Sequence, residues 1–139
     1  MTGPSAAATE PQGLYDALLA SAGGPVLGAR VGTVAGAPSI ERLDPARAVA
    51  LRAAWSGARL HAGAAGLLVA DDRDVALLVG DWCFAHALGA VAATGDLQAI
   101  ALLSAAIEHG STGPSGEPAR AAELAEIWGD AGRKLARTG

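Results

Sequence analysis

Residues 75–93 read VALLVGDWCFAHALGAVAA, about five turns of helix in which Asp81 is the single formally charged residue. A helix with apolar side chains on nearly every side has no face to give to water, so it must be surrounded. It is therefore either central in a bundle or shared with a second chain. The material available to surround it is small: 35 alanines and 19 glycines, against 30 Leu, Val, Ile and Phe together in 139 residues. Alanine favours helices and disfavours strands, so this supply argues for close-packed helices and against a sandwich or barrel. The expected fold class is all-α, a bundle of about five helices in one domain.

Start and stop signals divide the chain. Residues 1–11, small, polar and broken by proline, read as a disordered tail ahead of a helical domain over 12–139. A short helix is expected over 12–21, with Leu14, Leu18 and Leu19 on one side, stopped by Gly23, Gly24 and Pro25. Residues 26–43 read as a loop or a short helical turn. Asp44 and Pro45 form a strong start: Asp caps free N–H groups, and Pro loses nothing at the first helical position. The helix that follows is expected to reach about residue 69, with Leu51, Trp55, Ala58, Ala62, Ala65 and Val69 at helical spacing. Gly57, Gly63 and Gly66 within it each cost about 1 kcal/mol relative to Ala, tolerable where another backbone comes close.

Asp71, Asp72, Arg73 and Asp74 break that pattern and cap the apolar helix, which Gly95 ends. Asp96 caps a helix over 97–108 with Leu97, Ile100, Ala101, Ser104 and Ile107 inward, closed by Gly110. Residues 110–116 form a flexible loop. The last helix, 117–137, carries Leu124, Ile127, Trp128, Ala131 and Leu135 as an inward stripe and an Asp130–Lys134 pair outward.

Ten basic residues against fourteen acidic give a net charge of −4. No basic cluster is present to track a phosphate backbone, which argues against nucleic acid as a ligand. Cys83 alone can form neither an intrachain disulfide nor a thiolate cluster and reads as a small packed hydrophobe. The first residues have neither the positive start nor the apolar middle of a secretion signal. The longest strongly apolar run, 62–70, is far short of the ~20 residues that span a bilayer. A soluble, cytoplasmic protein is expected.

Asp81 is the most informative polar residue. Set among Leu77, Leu78, Phe84 and Ala85, its charge needs a partner, expected to be Arg52 or Arg59 of the preceding helix. Asp71, Asp72 and Asp74 are the one acidic cluster: their oxygens suit Mg²⁺, but at a helix start they serve equally as cap and dipole partners. His61, His86 and His109 have no spacing that places two on one helix face for a metal. His109 has a sufficient role against the negative end of its helix.

The run Val75 to Leu88, with Gly80-Asp81 followed by the aromatic Trp82, then Thr94-Gly95-Asp96 and Leu102-Leu103-Ser104-Ala105-Ala106-Ile107, resembles the trans-polyprenyl diphosphate synthases over roughly residues 75–108. Asp71 and Asp72 faintly resemble the family's first aspartate-rich region. Catalytic members carry DDxxD, a long connection before the Gly-Asp helix, and a second aspartate-rich motif. Here DDRD is one residue short, it precedes Gly80 closely, and no second motif follows.

The chain is therefore most similar to the short non-catalytic component of two-component bacterial polyprenyl diphosphate synthases. The resemblance implies a truncated isoprenoid-synthase-like fold and a larger catalytic partner that holds the Mg²⁺. It implies a role in setting product chain length in menaquinone or related isoprenoid synthesis, with no catalysis by this chain alone. Family members dimerise through the Gly-Asp helix and its successor, so Leu78, Asp81, Trp82, Phe84, Ala85, Leu88, Ile100 and Leu103 are the expected contact set. The competing readings are a stand-alone Mg²⁺-dependent isoprenoid diphosphate enzyme built on Asp71, Asp72 and Asp74, and a helical homodimer acting as a binding or scaffold module.

Overall fold

A computed structural model describes residues 6–22, 28–111 and 121–138. Its five helices are α1 (Pro11–Ala22), α2 (Pro45–His61), α3 (Arg73–Ala92), α4 (Leu97–Ser111) and α5 (Ala121–Arg137). One small ribbon joins β1 (Ala29–Val31) to β2 (Leu68–Ala70), antiparallel, with Arg30 opposite Val69. The all-α expectation holds. A 3-10 turn at Ala6–Thr9 precedes α1. Ala8 and Thr9 are buried, and the Thr9 carbonyl accepts from Arg52 Nη1 at 3.1 Å. The expected N-terminal tail therefore packs on the fold at Ala8 and Thr9, and its residues 1–5 lie outside the described residues.

The central helix is α2, not α3. Asp44 caps it by accepting from the Arg47 N–H at 2.9 Å, with Pro45 at its first position. Buried residues occur on every side of it, six of the thirteen alanine, with Val49, Leu51, Trp55 and Leu60 among the others. Small side chains let several helices approach one axis, so α3, α4 and α5 all pack on α2. At the α2–α3 crossing a Cβ on Gly57 would fall 2.8 Å from the Gly80 carbonyl oxygen. The close contact expected at Gly57 is present, with Gly80 as its counterpart.

α2 ends at His61, eight residues before the expected stop. Gly63 takes φ +76°, a left-handed conformation suited to glycine, and the Ala62, Gly63 and Ala64 N–H groups close on the Arg59 and Leu60 carbonyls. Gly66 then lies against Ser56, whose hydroxyl accepts from the Leu67 N–H at 3.1 Å, and the chain turns into β2. Residues 26–43 contain β1 rather than only a loop or helical turn.

Asp72 caps α3 by accepting from the Asp74 and Val75 N–H groups, and Gly95 closes its end with φ +71°. Asp96 caps α4, accepting from the Ala99 N–H at 3.1 Å. Ala99, Leu103 and Ala106 face inward on α4, whereas Leu97 is 77% exposed and Ala101 and Ser104 are also in solvent. The inward stripe is thus rotated from the expected one. On α5 Leu124, Trp128, Ala131 and Leu135 are buried as expected, and Lys134 Nζ lies 3.0 Å from Asp130. Of the expected loop at 110–116, residues 112–116 lie outside the described residues, as does the start of the expected last helix at 117–120.

A buried arginine locks the bundle. Arg47, 5% exposed, donates through Nε and Nη2 to both Asp96 carboxylate oxygens at 2.7 and 2.9 Å. Its Nη1 donates to the Leu135 carbonyl and to Thr138 Oγ1. One guanidinium therefore joins the start of α2 to the cap of α4 and the end of α5. The Asp96 hydrogen bond raises the Arg47 pKa and lowers that of Asp96.

Candidate functional site

Only one side of α3 is buried. Ala76, Val79, Gly80, Cys83, Ala87 and Val91 turn inward, and steps of three and four residues place Leu78, Asp81, Ala85, Gly89 and Ala92 outward. Leu78 is 68% exposed. Trp82, Phe84 and Leu88 are half-buried along the borders of this face and pack against the core. The result is an outward face of apolar and small residues about 20 Å long, interrupted by one carboxylate.

That carboxylate has a different partner from the expected arginines. Asp81 is exposed and accepts from His61 Nε2 at 2.9 Å, while the His61 ring lies 5.1 Å from Phe84. Gly80 makes room for the imidazole, since a Cβ there would collide with it. Arg59 donates instead to the Ala65 carbonyl, and Arg52 to the Pro38 and Thr9 carbonyls. His61 was invisible as a partner because twenty residues and a ribbon separate it from Asp81 in the chain.

The remaining members of the expected contact set divide. Ile100 is half-buried, and Leu103 is fully buried inside the chain's own core, where a partner cannot reach it. Leu103 is therefore a packing residue. His86 stacks on Trp82 with centroids 4.7 Å apart, and its Nε2 is buried without a hydrogen bond. Burial lowers its pKa. Cys83 is fully enclosed and its thiol is pushed up to about 12, which removes it as a thiolate nucleophile at neutral pH.

The DDRD carboxylates diverge. Asp71 pairs with Arg30 at 3.1 Å on the surface, Asp72 is spent on the α3 cap, and Asp74 is exposed. Among the described residues no group of three or more His, Cys, Asp or Glu side chains could hold a metal ion.

A concavity with no signal in the sequence lies between α4 and α5. It encloses about 440 Å³ over an apolar floor that includes Leu102 and Ile127, with His109, Glu123, Glu126 and Lys134 along its edges. α3, at 20 residues, also meets the length and composition of a bilayer-spanning helix, a candidate longer than the apolar run at 62–70. In this fold it is a packing helix with one face in solvent. Comparison of the chain with family models, with curated proteins and with solved structures finds no match.

Proposed function

We propose that the chain is a non-catalytic subunit of a heteromeric trans-prenyltransferase, docking on a larger catalytic chain through the outward face of α3. One observation carries this reading: the Gly80-Asp81-Trp82 segment lies on a helix whose outer side, from Leu78 to Ala92, is apolar apart from Asp81 and is left uncovered by the described residues. Contiguous exposed apolar surface marks interaction sites. Leu78 and the rim of Trp82 supply the bulk, while Ala85, Gly89 and Ala92 let another helix approach closely. The engaged state of Asp71 and Asp72 favours this reading over a stand-alone Mg²⁺ enzyme. Mg²⁺ and the allylic diphosphate belong to the catalytic partner, whose product length this chain helps to set in menaquinone or related isoprenoid synthesis.

Co-expression with a trans-prenyl diphosphate synthase from the same genome tests the proposal. A stoichiometric complex is expected, with product length altered relative to the catalytic chain alone. Leu78→Asp should weaken that complex by roughly a hundredfold, the scale of a central apolar contact. Absence of a complex, with unchanged products on mixing, overturns it.

A further inference from the structure

The outward face of α5 is polarised along its length, and among the described residues Glu123 and Glu126 meet no opposite charge. Glu123 and Glu126 lie in the N-terminal half, Asp130 near the middle, and Arg133, Lys134 and Arg137 in the C-terminal half. The helix dipole accounts for acids at the first turn and bases at the last. It does not account for Glu126 and Asp130 four residues apart in the middle, where like charges weaken a helix. Asp130 is held by Lys134 at 3.0 Å and Arg133 at 3.9 Å. Glu123 and Glu126 are exposed and make no ion pair among the described residues. The same face borders the 440 Å³ groove, so apolar surface from Leu102 and Ile127 lies beside the charges.

We propose that this face seats α5 of a second copy of the chain, antiparallel, about a twofold axis near Asp130. A twofold interface must be complementary to itself. Antiparallel pairing about residue 130 sets Glu123 opposite Arg137 of the second copy and Glu126 opposite its Lys134. The two Asp130 carboxylates meet near the axis, each still flanked by its own Arg133. The helix dipoles oppose, and the two grooves close over Leu102 and Ile127. Three acids and three bases leave this face of α5 neutral on a chain of net charge −4, so two copies approach here without the repulsion other faces bring. Self-complementarity selects a second copy over a foreign helix. The proposal is independent of the α3 reading and leaves the α3 face free.

Sedimentation equilibrium of the full chain tests it. A dimer is expected at low salt, with a dissociation constant that rises roughly tenfold as added salt screens the exposed pairs. The double variants E123K/E126K and K134E/R137E should each be monomeric with unchanged helix content, and their equimolar mixture should restore a 1:1 dimer. A wild-type chain that stays monomeric at about 100 µM in low salt, where even a micromolar affinity gives mostly dimer, overturns the proposal. So does a dimer indifferent to both charge reversals; if Leu78→Asp dissolves that dimer instead, self-association belongs to α3.

Discussion

Helices α2 and α3 pack against each other along their lengths, yet water meets them differently. α3 carries Leu77, Leu78, Trp82, Phe84 and Leu88 and leaves one side in solvent, whereas α2, with three arginines among its 17 residues, is buried on nearly every side. Hydrophobicity alone would reverse that order. Size explains it: a central helix must be approached by several neighbours at once, and alanines at positions 46, 48, 50, 53, 54 and 58 allow approach where leucines would hold neighbours off. Arg47 completes α2's burial by finding all its partners within the fold. The large residues of α3 instead serve a helix with neighbours on one side only.

The contrast is sharpest at the charged residues. Replacing Arg47 by Met leaves Asp96 without its buried partner and should cost about 3–5 kcal/mol by denaturant unfolding. Asp81→Asn removes only an exposed pair with His61 and should cost under about 1 kcal/mol. Equal losses at the two sites would erase the distinction between the helices. The Arg47 effect also has a pH signature. Because the folded pKa of Asp96 is depressed, its contribution is complete above the unfolded value of about 3.9 and is lost as pH falls through the folded one. The gap between wild type and Arg47→Met should therefore narrow in acid.

Apolar truncation separates the helices in the same sense. Leu51→Ala in α2 opens a cavity at a fully buried site and should cost about 2–5 kcal/mol. Leu78→Ala in α3 should stay within about 0.5 kcal/mol, the range of ordinary surface changes. A large loss at Leu78 in the isolated chain would mean that its outward face is already covered, and would count against a free docking surface.

Capping made much of this contrast legible in the sequence. Asp44 with Pro45, Asp72, Asp96 and Gly95 each act within a few residues, so helix starts and stops could be read without knowing the fold. The inward stripe of α5 could be read because that helix is buried along one side. The end of α2 is not legible in the same way, because a glycine at a helix end and a close-contact glycine inside a helix look alike in sequence. Gly63 is a left-handed cap, and Gly66 packs on Ser56 beyond the helix end. Strands of three residues carry no periodic signal. The Asp81–His61 pair and the α5 groove depend on which faces meet, and an alanine-rich helix gives little indication of which side is inward.

Glycine replacements test the two faces at smaller cost. Gly57→Ala drives a methyl into the Gly80 carbonyl and the Phe84 ring and should destabilise by about 1–3 kcal/mol. Gly89 on α3 has open space where its Cβ would lie, so Gly89→Ala should stabilise the isolated chain by up to about 1 kcal/mol through helix propensity. The same substitution should weaken any complex that needs close approach at Gly89, splitting monomer stability from association.

The smallest expected effect lies at the border between the two sides of α3. His86 stacks on Trp82 with Nε2 buried and unpaired, and burial lowers its pKa in the folded chain. The unfolded chain titrates near the ordinary value of about 6.5 and so takes up its proton first as pH falls. Stability contributed by neutral His86 is therefore complete above that value and declines as pH drops from about 6.5 towards the folded pKa. His86→Phe keeps an aromatic against Trp82 and removes the proton site. Thermal unfolding at pH 8 and pH 5 should show a smaller acid loss in the variant than in wild type. Parallel pH profiles would mean that His86 titrates alike in both states, and that the Trp82 border of α3 is open to water rather than packed.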